Sequence, residues 1–187
     1  MQNIREYFLK KDPYLYHYLR MVTFAFLRPI EVVRLTVGDI DLQNKVLTVK
    51  SKTENRSTIK IIEDLVPTLE GMQLEKYKYN FHLFTPKQQP DYWDSKETSK
   101  SDYFQKRFGE VKEHFGFGVE YGIYSFRHTF VKNLYENFLK EGLSEREAQM
   151  KLMGITRHKS LSGLKNYLRD VGAALSEDYS DSYTIVF

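Results

Sequence analysis

Apolar and polar residues recur along this chain with two different periods. Between residues 13 and 26, Tyr14, Tyr18, Met21, Val22 and Ala25 fall at three- and four-residue steps, which predicts a helix with one buried face. Pro29 suits the first turn of a new helix, where its missing N–H costs nothing, and that helix is expected to run through "IEVVRLTV". "GDIDLQNK" is a turn-rich link. The period then drops to two. "KVLTVKSK" and "RSTIKII" alternate and carry β-branched residues, so they read as strands, with "TEN" closing a hairpin between them.

The helical period returns downstream. Asp64 is placed to cap a helix from 65 to about 77, with Pro67 in its first turn. "FHLFTPKQQPDYWDSKETSK" has two prolines and no period, and reads as a loop. "SDYFQKRFGEVKEHF" sets Tyr103, Phe104, Phe108, Val111 and Phe115 on one side. After the break "GFGVEYG", a helix over 125–140 puts Phe126, Phe130, Leu134 and Phe138 in a stripe, with Arg127 and His128 at its mouth. "SERE" at 144–147 is a capping box, Gly154 is expected to end the helix it opens, and "SLSGLKNYLRDV" makes one more. The sum is about seven helices and one small antiparallel β-sheet on one core, a mainly α fold.

Composition narrows the partners. The 187 residues suffice for a single domain with a real core. A net charge of +3 permits a nucleic-acid partner without demanding one. There is no cysteine, which excludes disulfides and thiolate metal sites and fits a reducing cytoplasm. The longest apolar runs, such as "MVTFAFL", are too short to span a membrane, and no signal peptide opens the chain.

Five polar residues stand where the local pattern calls for an apolar residue or a turn: Arg28, Lys52, Arg127, His158 and Tyr167. Singly, each has an ordinary role. Arg28 pairs with Glu31 across one turn. Lys52 is a solvated turn lysine. Arg127 and His128 satisfy a helix start or a carboxylate. His158 is a cap, and Tyr167, one of 14 tyrosines, packs. Together they form another set: two arginines, a lysine and a histidine are all donors to one oxyanion, and a tyrosine beside them is a nucleophile. Arginine suits a phosphate because its planar fork bonds two oxygens and keeps its charge. No pattern of metal-binding carboxylates accompanies them, so neither metal nor other cofactor is expected.

The order and spacing of these residues resemble the tyrosine recombinases, or phage-type integrases. "RPIEVVRL" (28–35) matches their R-x-x-E-x-x-x-L motif and is followed by "VGDIDL" (37–42). "KTENR" (52–56) is similar to their hairpin lysine segment, and "HLFTP" (82–86) to the stretch before their variable loop. "YSFRHTF" (124–130) resembles the H-x-x-R-H-T box, with Tyr124 in place of its first histidine; position 124 is either a phosphate donor or a core packer. "LMGITRHKSLSGLKNY" (152–167) resembles the L-G-H-x₈-Y box. Three residues separate Gly154 from His158 where that family has the pair adjacent, so His158 is aligned by its spacing to Tyr167.

The resemblance covers about residues 10–170 and implies a tyrosine recombinase catalytic-domain fold, with residues 1–187 one catalytic domain, residues 171–187 a C-terminal tail, and an N-terminal DNA-clamping domain missing from a longer recombinase. It implies site-specific recombination or integration of double-stranded DNA, through attack by Tyr167 to give a 3′-phosphotyrosyl link. Arg28 and Arg127 would hold the phosphate. His158 would donate to it or handle the tyrosine proton, and Lys52 would protonate the leaving 5′-oxygen. His128 would orient a neighbour or satisfy the helix start. Lys50, Arg56, Lys132, Arg157 and Lys159 are candidate DNA contacts, with Lys45, Lys60 and Lys165 near them; a solvated basic face is their ordinary alternative. The family implies a tetramer on DNA with an exchanged C-terminal segment, a monomer without DNA, and a cytoplasmic enzyme of a prokaryote, phage or mobile element. Two alternatives share the residues: relaxation of DNA like a type IB topoisomerase, and a DNA-binding relative without catalysis.

Overall fold

The computed structural model describes residues 2–50 and 56–173. Among them are eight α-helices and one three-stranded antiparallel sheet. The fold is therefore mainly α, as the periodicity predicts. The chain divides into two compact units, with the boundary between Arg127 and His128.

The first unit begins with α1 (Gln2–Lys11) and α2 (Pro13–Phe24). They are separate helices because Asp12 caps the second, accepting from the Leu15 N–H at 2.8 Å with Pro13 in the first turn. The same carboxylate accepts from two Arg107 nitrogens, Nε to Oδ2 and Nη2 to Oδ1, the latter at 2.6 Å. All five residues of the predicted α2 face are buried. Tyr18 stacks on Phe104 of α5 (Glu97–Phe115) with ring centroids 4.1 Å apart, and its hydroxyl donates to the Pro29 carbonyl at 3.0 Å. Phe104, Phe108 and Val111 complete that core, again as the pattern predicts.

Two predicted helices are shorter than expected. α3 covers only Pro29–Val32. Residues 35–38 leave the helix to pair with residues 79–83: Leu83 N–H donates to Leu35 O at 2.8 Å, Val37 N–H to Phe81 O at 2.9 Å and Gly38 N–H to Tyr79 O at 2.9 Å. A tertiary main-chain pairing overrides the local helical period. The supposed loop starting at Phe81 is thus a buried extended pass, with Leu83, Phe84 and Thr85 in the core. Tyr14 holds it, donating to Leu83 O at 3.1 Å and accepting from the Thr85 N–H at 2.9 Å. The expected helix over 65–77 is also cut. A 3-10 turn at Glu63–Leu65 precedes α4 (Val66–Gly71), and Gln73, with φ 51°, turns the chain out of it. Asp64 lies inside the 3-10 turn and caps nothing.

The sheet runs β1 (Ile40–Asp41), β2 (Val46–Lys50) and β3 (Arg56–Lys60) in that order. β2 alternates as predicted, with Leu47 and Val49 buried. Asp39 accepts from the Thr36 N–H at 2.9 Å and the Thr36 hydroxyl at 2.8 Å, giving the "VGDIDL" segment a structural role as the turn into the sheet.

α6 (Ile123–Lys140) passes from the first unit into the second. It starts earlier than expected, so Arg127 and His128 lie in its second turn and do not open it. The buried stripe is also displaced. Ile123, Arg127, Val131, Tyr135 and Phe138 are buried, whereas Phe126, Phe130 and Leu134 are only half-buried. An arginine thus stands in the apolar face, and a sequence period that assigns charge to solvent misplaces the stripe by one residue.

The second unit continues with α7 (Glu145–Thr156) and α8 (Leu161–Asp170), which pack together, with Ala148, Leu152, Leu164 and Leu168 buried. The capping box is present: the Ser144 N–H donates to Glu147 at 2.9 Å and the Glu147 N–H to Ser144 Oγ at 3.4 Å. Gly154 does not end α7. The helix continues to Thr156, and Arg157, with φ 59° and ψ 40°, makes the left-handed turn. Ser160 then caps α8, accepting from the Gly163 N–H at 3.1 Å.

Candidate active site

In the first unit the chain reaches Arg28 through Phe26, a left-handed residue with φ 49°. The Tyr18–Pro29 hydrogen bond fixes the following turn. Glu31, nearly buried, accepts from the Arg28 N–H at 2.8 Å and from Nη1 at 3.2 Å. The ordinary Arg28–Glu31 pair is therefore real. It engages one guanidinium nitrogen, and the side chain keeps 39% of its exposure. Glu31 orients this arginine as well as starting the helix. Arg127 is fully buried, the largest such side chain among the described residues. Arginine is withdrawn from water only where something engages it.

Lys52 falls within residues 51–55, outside the described residues. The strands that carry this segment are described, and they place Lys50 of β2 directly opposite Arg56 of β3. Like charges in register repel. Lys50 is also 3.9 Å from Asp39. Nearby, Lys100, almost buried, lies 2.7 Å from His82 Nε2. His82 is held below its ordinary pKa, first by burial and then by the charges of Lys100 and Lys50. Burial lowers Lys100 as well.

The second unit assembles three of the named residues. Tyr167 projects from α8, half-buried between the anchors Leu164 and Leu168. Its hydroxyl is 2.9 Å from His128 Nδ1, and the two rings are 5.3 Å apart. The His158 ring lies 5.0 Å from the Tyr167 ring on centroids. His158 is tied down at both ends. Its N–H donates to Met153 O at 3.2 Å, and its Nδ1 lies 2.6 Å from the Thr156 hydroxyl. Two imidazoles thus flank one phenol. From sequence, His128 is a neighbour-orienting or helix-start residue; the structure makes it the direct hydrogen-bond partner of Tyr167. The only signal for this was its adjacency to Arg127. Thr156 carried no signal.

The remaining expected residues are scattered in character. Tyr124 is half-buried in the first turn of α6. Lys132 pairs with Glu136 at 3.8 Å, one turn on. Arg157 is half-buried, and Lys159 and Lys165 are exposed. Lys45 pairs with Glu63 at 2.7 Å. Among the described residues, no group of three or more His, Asp or Glu is arranged to hold a metal ion, and no helix is long and apolar enough to cross a membrane.

The model of the family described as "Phage integrase family" matches residues 2–171. The chain belongs to the phage integrase family. No curated protein sequence matches it. Several solved structures share its fold. XerA recombinase superposes with a TM-score of 0.65 at 17% identity, over 99% of this chain and 63% of that one. The Tn1549 transposon integrase, solved with a circular intermediate DNA, gives 0.66 at 17%, over 89% and 58%. XerH site-specific recombinase, bound to a palindromic difH substrate, gives 0.58 at 17%, over 83% and 42%. The chain thus spans less than two thirds of the length of each of these three proteins' chains.

Arg157, directly before His158, adopts the left-handed conformation that glycine takes without cost, while Gly154 lies inside α7.

Proposed function

We propose that this chain is the catalytic part of a site-specific DNA recombinase that cuts and rejoins duplex DNA through Tyr167. The observation that carries the proposal is the Tyr167 hydroxyl 2.9 Å from His128 Nδ1, with the His158 ring beside it. A phenol is a weak nucleophile until a positioned base takes its proton.

In the proposed reaction Tyr167 Oη attacks the scissile phosphorus while His128 accepts the phenolic proton. The bond from phosphorus to the 5′-oxygen breaks, and Lys52 protonates that oxygen. The products are a 3′-phosphotyrosyl link and a 5′-hydroxyl. A 5′-hydroxyl of a partner strand then attacks the link, restoring a phosphodiester and releasing Tyr167. No net bond energy is lost, so no ATP is required. Arg28, Arg127 and His158 act on the non-bridging oxygens, where charge grows in the transition state. Lys50 and Arg56, opposed across the hairpin, act as phosphate contacts, with Lys132, Arg157 and Lys159 as the corresponding cations of the second unit. The chain is a monomer alone and a tetramer on DNA. The tail beyond residue 173, which would exchange between protomers, lies outside the described residues.

The test is a pool of nicked duplexes of random sequence, incubated at low salt to favour phosphate binding. Covalent adducts resistant to detergent are collected and the modified residue is mapped. Adducts at Tyr167 that vanish in Tyr167→Phe, with DNA retention unchanged, are the expected result. Adducts that persist in the phenylalanine variant would falsify the assignment. Recombinant joints between two selected duplexes, as opposed to relaxation of a supercoiled circle, distinguish recombination from topoisomerase action.

A further inference from the structure

The proton count around Thr156 fixes the state of His158. Thr156 is fully buried at the end of α7. Its hydroxyl lies 2.8 Å from Leu152 O, to which it donates, and 2.6 Å from His158 Nδ1. A hydroxyl has one proton and two lone pairs, and a carbonyl oxygen only accepts. The single proton therefore belongs to the Leu152 carbonyl. The contact to His158 must carry a proton from the other side, so Nδ1–H donates to the Thr156 oxygen. This places the second ring nitrogen, Nε2, as the atom that loses and gains the exchangeable proton.

We infer that Thr156 is a positioning residue, which locks His158 as the Nδ1–H tautomer and commits Nε2 to the chemistry beside Tyr167. Two features make the lock firm. The threonine bonds back to its own helix, which removes its freedom to rotate and reverse the direction of the hydrogen bond. The histidine backbone is anchored to the same helix through Met153. The left-handed turn at Arg157 then brings His158 back over the helix end, so that Nδ1 meets a side chain only two positions earlier. The ring is held by local contacts before any DNA arrives. When neutral, its Nε2 takes a proton; when charged, it gives one to an oxyanion. The tautomer assignment stands on the hydrogen bonds alone, whereas its value to the reaction rests on the function proposed above.

The experiment separates the two. Long-range ¹H–¹⁵N spectra of the whole labelled chain, without DNA and above the titration of the ring, report each imidazole nitrogen. Wild type is expected to show Nδ1 protonated and Nε2 bare at His158. Thr156→Val, which keeps the shape and removes the oxygen, is expected to relax that preference by roughly three- to tenfold, the equivalent of one hydrogen bond. Thr156→Ser restores it. On a duplex selected by wild type, the valine variant is expected to lose adduct rate with DNA retention unchanged, and the serine variant to recover it. A wild-type His158 protonated on Nε2 overturns the inference outright, even if the valine variant fails to fold. A shifted tautomer with an unchanged adduct rate overturns the positioning role. Should wild type form no adduct, the tyrosine mechanism falls, and the spectra still decide the tautomer.

Discussion

Asp12 does two jobs that substitution separates. Its Oδ1 caps α2, and both its oxygens engage Arg107 of α5. Both side chains keep only 15% of their exposure, so the pair is far less screened than a surface ion pair. Asp12→Asn keeps a good capping oxygen but removes the charge and one acceptor for the guanidinium. Hydrogen bonds to charged groups contribute about 1.5–3 kcal/mol each, so about 2 kcal/mol is the expected loss. Asp12→Ala also removes the cap, for a further loss of about 1 kcal/mol. The assay is urea unfolding followed by fluorescence of Trp93, the one tryptophan in the chain. Its ring sits 5.7 Å from Tyr103, whose hydroxyl accepts from Arg107 at 3.0 Å, so the signal comes from the unit that carries the substitution. With a slope of about 1–3 kcal/mol/M, each kcal/mol moves the midpoint by roughly 0.3–1 M. Equal midpoints for the two variants would refute the capping contribution. An asparagine variant as stable as wild type would refute the pairing.

Tyr14→Phe strands two buried main-chain groups, Leu83 O and the Thr85 N–H, and is expected to lower stability by about 2 kcal/mol in the same assay. Faster amide exchange at Thr85 accompanies it; unchanged exchange would place the support of the 83–85 pass elsewhere. His17 and His82 are both held below their ordinary pKa of 6.5, mainly by burial. Below pH 6.5 the unfolded chain binds protons that the folded chain refuses, so stability is full above that pH and falls as pH drops. His82→Gln flattens this slope between pH 7.5 and 5.5, and an unchanged slope would show that His82 does not contribute to it.

The parts legible in the sequence were those set by local chemistry. The α2 and α5 faces, the alternation of β2 and the Ser144–Glu147 capping box each need only neighbours within a few residues. The shortened α3 was not legible, because its end is dictated by residues 79–83, some forty positions away. The α6 stripe was misread because apolar period identifies a buried face only when no charge lies in it, and Arg127 does. His128 was undervalued because its partner lies 39 residues on, across a turn whose geometry depends on Arg157.

That turn sets up a conflict between two kinds of selection. A side chain in the left-handed region costs roughly 1 kcal/mol over glycine there. In a library sorted for thermal resistance alone, Arg157→Gly is therefore expected to rise to dominance. The winners would have surrendered the cation next to His158. If Arg157 contacts DNA as proposed, the same library sorted for DNA cleavage would keep the strained arginine, and the two screens would pull this one codon in opposite directions.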